Sequence, residues 1–227
     1  MIASDFFQKN KWVKINNFID VNMANLLYYH VILEKKRLDY IYKATDNDYD
    51  KEIYGTLEDP QAVGDFSKYG EPIFDTLLDM SVNQMQEFTG KKLIPTYTYH
   101  RLYTTNTILK RHKDRESCEI STTLFLGHDI SNLDNKNYSW PMYVKDEDGT
   151  EHKIDMNVGD MLVYSGCDLE HWREPFEGVN HAQVFMHYNE ENGQYNIKYD
   201  GRPVLGLEGK WKNHKKDIDS NYVKIIE

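Results

Sequence analysis

Gly159-Asp160-Met161-Leu162-Val163-Tyr164-Ser165-Gly166, followed closely by Leu169-Glu170-His171-Trp172, is the stretch whose reading decides the fold. Gly159-Asp160 is a turn signal, Met161 to Tyr164 is a short apolar β segment, and Ser165-Gly166 breaks it. A lone histidine comes next. Similar short segments recur on both sides. Thr96 to Thr104 is dense in Tyr and Thr, and Cys118 to Leu126 follows. Trp140 to Val144 and His152 to Met156 flank the Asp148-Gly149 turn, and Ala182 to Tyr188 ends the series. Strands of this length with these turns predict an antiparallel sandwich or barrel. Period two on the last strand turns His181, Gln183, Phe185 and His187 to one side.

Upstream, the period is helical. Trp12 to Ile15 reads as a short strand, and Asp20 as the N-cap of a helix running towards Lys43. Met23, Leu26, Leu27, Leu33, Leu38 and Ile41 form its expected apolar stripe. A second helix is expected over Pro72 to Phe88, facing the sheet with Leu77, Leu78, Met85 and Phe88 and stopped by Gly90. Between the helices, Thr45 to Gly70 is acidic and without period, an ordered excursion or a mobile flap. The expectation is one α+β domain: a helical front over 1–92, a β core over 93–190 and a polar, wrapping tail over 191–227.

The remaining clue is chemical. His112 and Asp114 lie two apart, and His171 follows the Met161 strand. Two imidazoles and a carboxylate can hold one face of a divalent iron and leave the other face open. With nine histidines in the chain, a single His-x-Asp means little, so the spacing and flanking strands carry the reading. His187 is expected to line the same cavity, and His128 and His152 to face solvent. A zinc hydrolase could use the same ligands, but the chain has no His-Glu-x-x-His segment.

Composition narrows the classes further. The 227 residues suffice for a sizeable core, and 13% aromatics suit a sheet with polar-tipped rings around a pocket. A formal charge of −10 opposes duplex nucleic-acid binding, although short basic runs occur at Lys110 to Arg115 and Lys210 to Lys216. No apolar stretch reaches the length of a membrane span, and Met1 to Asn10 lacks a secretory core, so a cytoplasmic protein is expected. Two cysteines, Cys118 and Cys167, form no disulfide framework.

Taken together, Tyr103, His112-Lys113-Asp114, Gly159 to Tyr164, His171 and Val184-Phe185-Met186-His187-Tyr188 resemble the iron(II)- and 2-oxoglutarate-dependent oxygenases, in the branch similar to prolyl hydroxylases. Ser67-Lys68-Tyr69-Gly70, Pro95-Thr96-Tyr97, Asp114-Arg115, Cys118-Glu119-Ile120-Ser121, Glu170 to Pro175 and Tyr199-Asp200-Gly201-Arg202-Pro203 extend the likeness to one subfamily over nearly the whole chain. The resemblance implies a double-stranded β-helix of the jelly-roll or cupin type, with N-terminal helices packed on one sheet. It implies Fe(II) on His112, Asp114 and His171, with 2-oxoglutarate and O2 on the open face. Succinate and CO2 would form as a substrate is hydroxylated, either a peptidyl residue such as proline or a small molecule. Tyr103 matches a tyrosine that approaches the co-substrate.

One departure stands out. Such proteins place an Arg or Lys nine or ten residues after the distal histidine to pair the far carboxylate of 2-oxoglutarate. Here Asn180 and His181 hold those places. Arg173, two residues past His171, is the favoured substitute, with a protonated His181 next and Arg101 third. The missing basic residue also leaves open an inactive metal-binding β-sandwich that serves as an interaction module.

Overall fold

The computed structural model describes residues 2–44 and 49–213. Residues 45–48 of the acidic excursion and 214–227 of the tail, with part of the second basic run, lie outside the described residues. The elements are α1 (Ala3–Asn10), β1 (Trp12–Ile15), α2 (Val21–Ala44), α3 (Lys51–Tyr54), β2 (Phe66–Tyr69), α4 (Pro72–Met80), α5 (Val82–Thr89), β3 (Leu93–Thr104), β4 (Leu109–His112), β5 (Ile120–Asp129), β6 (Met142–Lys145), β7 (Glu151–Ile154), β8 (Met161–Ser165), β9 (Glu170–Arg173) and β10 (Asn180–Glu190). The strands form two sheets, a larger one in the order β1-β8-β5-β10-β3-β2 and a smaller one in the order β4-β9-β6-β7. Every pairing is antiparallel.

Alternation along the strands builds two layers of core. On β10, Ala182, Val184, Met186 and Tyr188 join Phe7, Leu27, Val31, Phe74, Leu78 and Met85 in a layer between the larger sheet and the helices. Phe125, Leu162 and Tyr164 of that sheet meet Leu109, Met142, Val144 and Ile154 of the smaller one. The α+β arrangement of two facing antiparallel sheets therefore matches the expectation. Gly159 makes the turn into β8 with φ +88, and a Cβ there would lie 2.4 Å from the Ile19 carbonyl oxygen.

Three elements differ from the pattern read in the sequence. Asp20 does cap α2, accepting from the Asn22 and Met23 amides. The buried face of α2, however, is Ala24, Leu27, Val31, Glu34 and Leu38, while Leu26 and Leu33 are 66% and 65% exposed. A charged residue occupies a core-facing position, which hydrophobic periodicity discards. The expected second helix is two helices. Ser81 Oγ donates to the Leu77 carbonyl at 2.6 Å, competing with the backbone ladder where α4 ends. The acidic excursion contains α3 and β2 and is fastened to the sheet. Asp65 accepts from Thr104 and Thr107, and Asp59 from Tyr99 and Arg101.

Candidate metal centre

His112 is the last residue of β4, and His171 sits opposite it on β9. Antiparallel register thus brings together two imidazoles 59 positions apart in the chain, with ring centroids 4.2 Å apart. Asp114 lies beyond the strand. Its amide donates to the Gly166 carbonyl at 2.9 Å, so a loop contact, not strand alternation, aims its carboxylate at the histidines. Its Oδ1 is 3.5 Å from His112 Nε2 and 3.4 Å from His171 Nε2. One donor atom from each of the three lies within 4.8 Å of the others.

The surroundings orient these ligands. His112 Nδ1 is 2.8 Å from the Lys110 carbonyl and His171 Nδ1 is 2.9 Å from the Leu169 carbonyl. A carbonyl can only accept, so each Nδ1 carries the proton and each Nε2 lone pair points at the shared centre. Ser121 Oγ donates to Asp114 Oδ2 at 2.6 Å and lies 3.0 Å from His187 Nδ1. Gly166 is required by close approach, because a Cβ would stand 2.4 Å from Asp114 Oδ2. Burial works against a charged Asp114, but the two imidazoles outweigh it and hold the carboxyl well below its usual range. Burial, with smaller contributions from Arg115 and His171, outweighs Asp114 and pulls His187 down to about 4, so it stays neutral.

The open side of this centre faces a cavity of about 460 Å³. Tyr69, Tyr97, Tyr99, Tyr103 and Phe185 supply aromatic walls, and Asp59, Pro60 and Gln61 of the excursion form another. His187 lines it, as its strand position predicts. His152 and His128, expected to face solvent, are half-buried. His152 pairs with Asp146 at 2.7 Å, and His128 packs its ring on Phe125.

Arg173, Tyr103 and His181 meet at one corner. Arg173 shares the inward face of β9 with His171 and is 0% exposed. Its Nη1 donates to the Trp140 carbonyl at 2.6 Å, while Nε and Nη2 have no partner. No carboxylate pairs with it among the described residues, and burial pulls its pKa down to about 10. Tyr103 and Tyr164, which line the cavity, are its leading electrostatic neighbours. His181 stands against the same Trp140 ring, 5.0 Å between centroids. Burial, with Arg173 nearby, drives its pKa well down, so it offers a neutral ring instead of the positive charge expected. Thr123 donates to Gln183 Oε1, which turns the Gln183 amide nitrogen to His181 Nε2 at 2.6 Å and leaves His181 Nδ1 an unpartnered donor. Arg101 lines the cavity too, but Asp59 meets its charge at 2.8 Å.

Neither protein-family models nor curated protein sequences match this chain. Solved structures do. A prolyl-4-hydroxylase from Pseudomonas putida aligns at a TM-score of 0.59 and 14% identity, over 84% of this chain and 99% of that one. The chain has the fold of the prolyl hydroxylases and their 2-oxoglutarate–Fe(II) oxygenase relatives. The Trichoplax adhaerens prolyl hydroxylase, solved with a hypoxia inducible factor peptide, aligns at 0.57 and 14% over 84% and 88%. HygX from Streptomyces hygroscopicus, solved with nickel and 2-oxoglutarate, aligns at 0.52 and 10% over 84% and 87%. Arg173, favoured from the sequence in place of the missing basic residue, stands at this corner buried and without a carboxylate partner among the described residues. The contact of Arg173 with the Trp140 carbonyl leaves no local signal in the sequence, because the two residues lie 33 positions apart.

Proposed function

We propose that this chain is a single-domain, double-stranded β-helix enzyme, an Fe(II)- and 2-oxoglutarate-dependent dioxygenase. His112, Asp114 and His171 would hold the iron; Arg173, with His181 and Tyr103, would receive the far carboxylate of the co-substrate. Bound there with 2-oxoglutarate and O2, the metal supplies oxidative decarboxylation coupled to hydroxylation of a C–H bond. The chain's own residues fix both imidazole tautomers, align Asp114 through Ser121, and place aromatic rings around the open face.

The observation that carries this reading is the buried, carboxylate-free guanidinium two residues past His171. An uncompensated buried charge costs several kcal/mol, and a site keeps one where a ligand supplies the missing anion. Two unpartnered guanidinium nitrogens and the His181 Nδ1 donor fit a carboxylate. An inert sandwich has no use for such a corner. The fold's neighbours were solved with a peptide in one case and with hygromycin B in another. The Tyr-walled cavity here fits a peptidyl side chain such as proline or a ring of similar size.

Anaerobic Fe(II) with 2-oxoglutarate should give a visible charge-transfer band, which His171→Ala abolishes. Arg173→Met should leave metal binding intact and weaken 2-oxoglutarate about 100-fold, the loss of one buried charge pair. The same change should leave the free protein as stable or more so, because it removes an unpaired charge. Unaltered 2-oxoglutarate affinity in Arg173→Met would reject the anchor; no band and no succinate in the wild type would reject the enzyme.

A further inference from the structure

The tail reaches back to the metal loop through one carboxylate. Tyr199 and Asp200 adopt φ +56 each and Gly201 follows at +80. Left-handed backbone is costly for a bulky residue such as tyrosine and persists only where the surroundings over-determine it. What it achieves here is visible in the contacts. Asp200 is turned inward, where Oδ1 accepts from Arg115 Nη1 at 3.0 Å and Ser117 Oγ at 2.7 Å. Its Oδ2 accepts from Arg115 Nη2 at 2.8 Å and Tyr69 Oη at 2.9 Å, with Lys212 Nζ at 2.5 Å. Arg202, two residues on, is buried on Asp75 and the Thr96 carbonyl, which pins the segment to the sheet.

Arg115 directly follows the proposed metal ligand Asp114 and lines the same cavity. Its guanidinium also lies over the Tyr97 ring, 4.5 Å from the centroid. A guanidinium fork matches a carboxylate geometrically and is always charged. Without Asp200 it would keep only the Ser117 hydroxyl, 2.9 Å from Nη1, and its unpaired charge beside Asp114 would compete with a metal for that carboxylate. Asp200 takes both terminal nitrogens in a bidentate pair. Taking the triad as the metal site, we infer that Asp200 is a positioning residue that holds Arg115 off Asp114, so that metal affinity depends on the C-terminal strap.

The full chain, freed of metal, is titrated with Mn(II) alone, and free Mn(II) is followed by electron paramagnetic resonance. Asp200→Asn should weaken Mn(II) by about tenfold or more, the scale of residues that orient metal ligands. In Asp200→Asn/Arg115→Gln the affinity should return to within about threefold of Arg115→Gln, because nothing is left to restrain. Arg115→Gln alone should bind Mn(II) within about threefold of wild type. It changes a half-exposed side chain, so it decides the matter even if Asp200→Asn does not fold. Wild-type affinity in Asp200→Asn, no recovery in the double variant, or a tenfold loss in Arg115→Gln would each overturn the inference. A wild-type chain that binds no Mn(II) would instead remove the metal centre itself.

Discussion

Among the described residues, two regions gather imidazoles and carboxylates within 4.8 Å, and they differ in what else stands among them. Under α2, His30, Glu34 and Glu71 cluster against the outer face of the larger sheet, with His100 Nε2 2.9 Å from Glu34. Lys68 occupies the middle, 2.7 Å from Glu34 and also paired with Glu71. At the β4–β9 end, the carboxylate of Asp114 meets two neutral-capable imidazoles, with no Lys or Arg paired to it among the described residues. That cluster opens on the cavity. Donor identity alone does not separate the two. The resident ammonium does, because it already supplies the positive charge that a metal would bring.

The sharpest break would come from the metal itself. Wild type should bind one divalent ion per chain, and His171→Ala should lose it by at least about 100-fold, since one of three protein ligands is gone. Removing ligand capacity at the α2 cluster, as in Glu71→Gln, should leave the stoichiometry at one. Calorimetric titration showing a second strong ion, retained in His171→Ala, would erase the distinction.

Next in size is the ammonium. Lys68→Met leaves the buried Glu34 to His100 and the half-exposed Arg37, and Glu71 to His30 alone. Breaking a buried pair from one side costs about 3–5 kcal/mol. The urea midpoint should fall accordingly while Mn(II) affinity at the triad stays put. A variant as stable as wild type would mean that His30, His100 and Arg37 carry the charge, and that Lys68 does not define the cluster.

The same contrast explains what the sequence gives up on reading. β10 is legible because its polar and aromatic residues alternate with small and apolar ones, and Phe185 and His187 do line the cavity. The clustered His112, Asp114 and His171 are legible because three donors of two types stand next to recognisable turns. β4 and β9, which carry both histidines, have four residues each, too few for a period to register. Glu34 is illegible as a core residue because its burial depends on Lys68 and His100, which arrive from strands far along the chain. Asp200 is hidden for the same reason, its partner Arg115 lying 85 positions away. Charges satisfied over long range leave no local pattern; apolar faces do.

The smallest effect is the pH response of the α2 cluster. Burial pushes the Glu71 carboxyl up, but His30 and Lys68 outweigh it and hold it at about 2, against 4.5 for the free side chain. Its folded value is depressed, so its contribution is present above pH 4.5 and is lost as pH falls towards 2. His30 runs the other way. The Glu71 carboxylate 3.4 Å from its Nε2 outweighs the opposing burial and raises it above 6.5, so its contribution is complete below 6.5 and fades as pH rises through the folded value. Glu71→Gln should therefore flatten the acid limb of the stability profile and lower the His30 titration midpoint, which proton NMR of its ring can follow. The stability change should be on the order of 1 kcal/mol, because His30 remains partly open to solvent. If the His30 midpoint stays raised in Glu71→Gln, then Glu34 is its true partner and the cluster is wired through α2 alone.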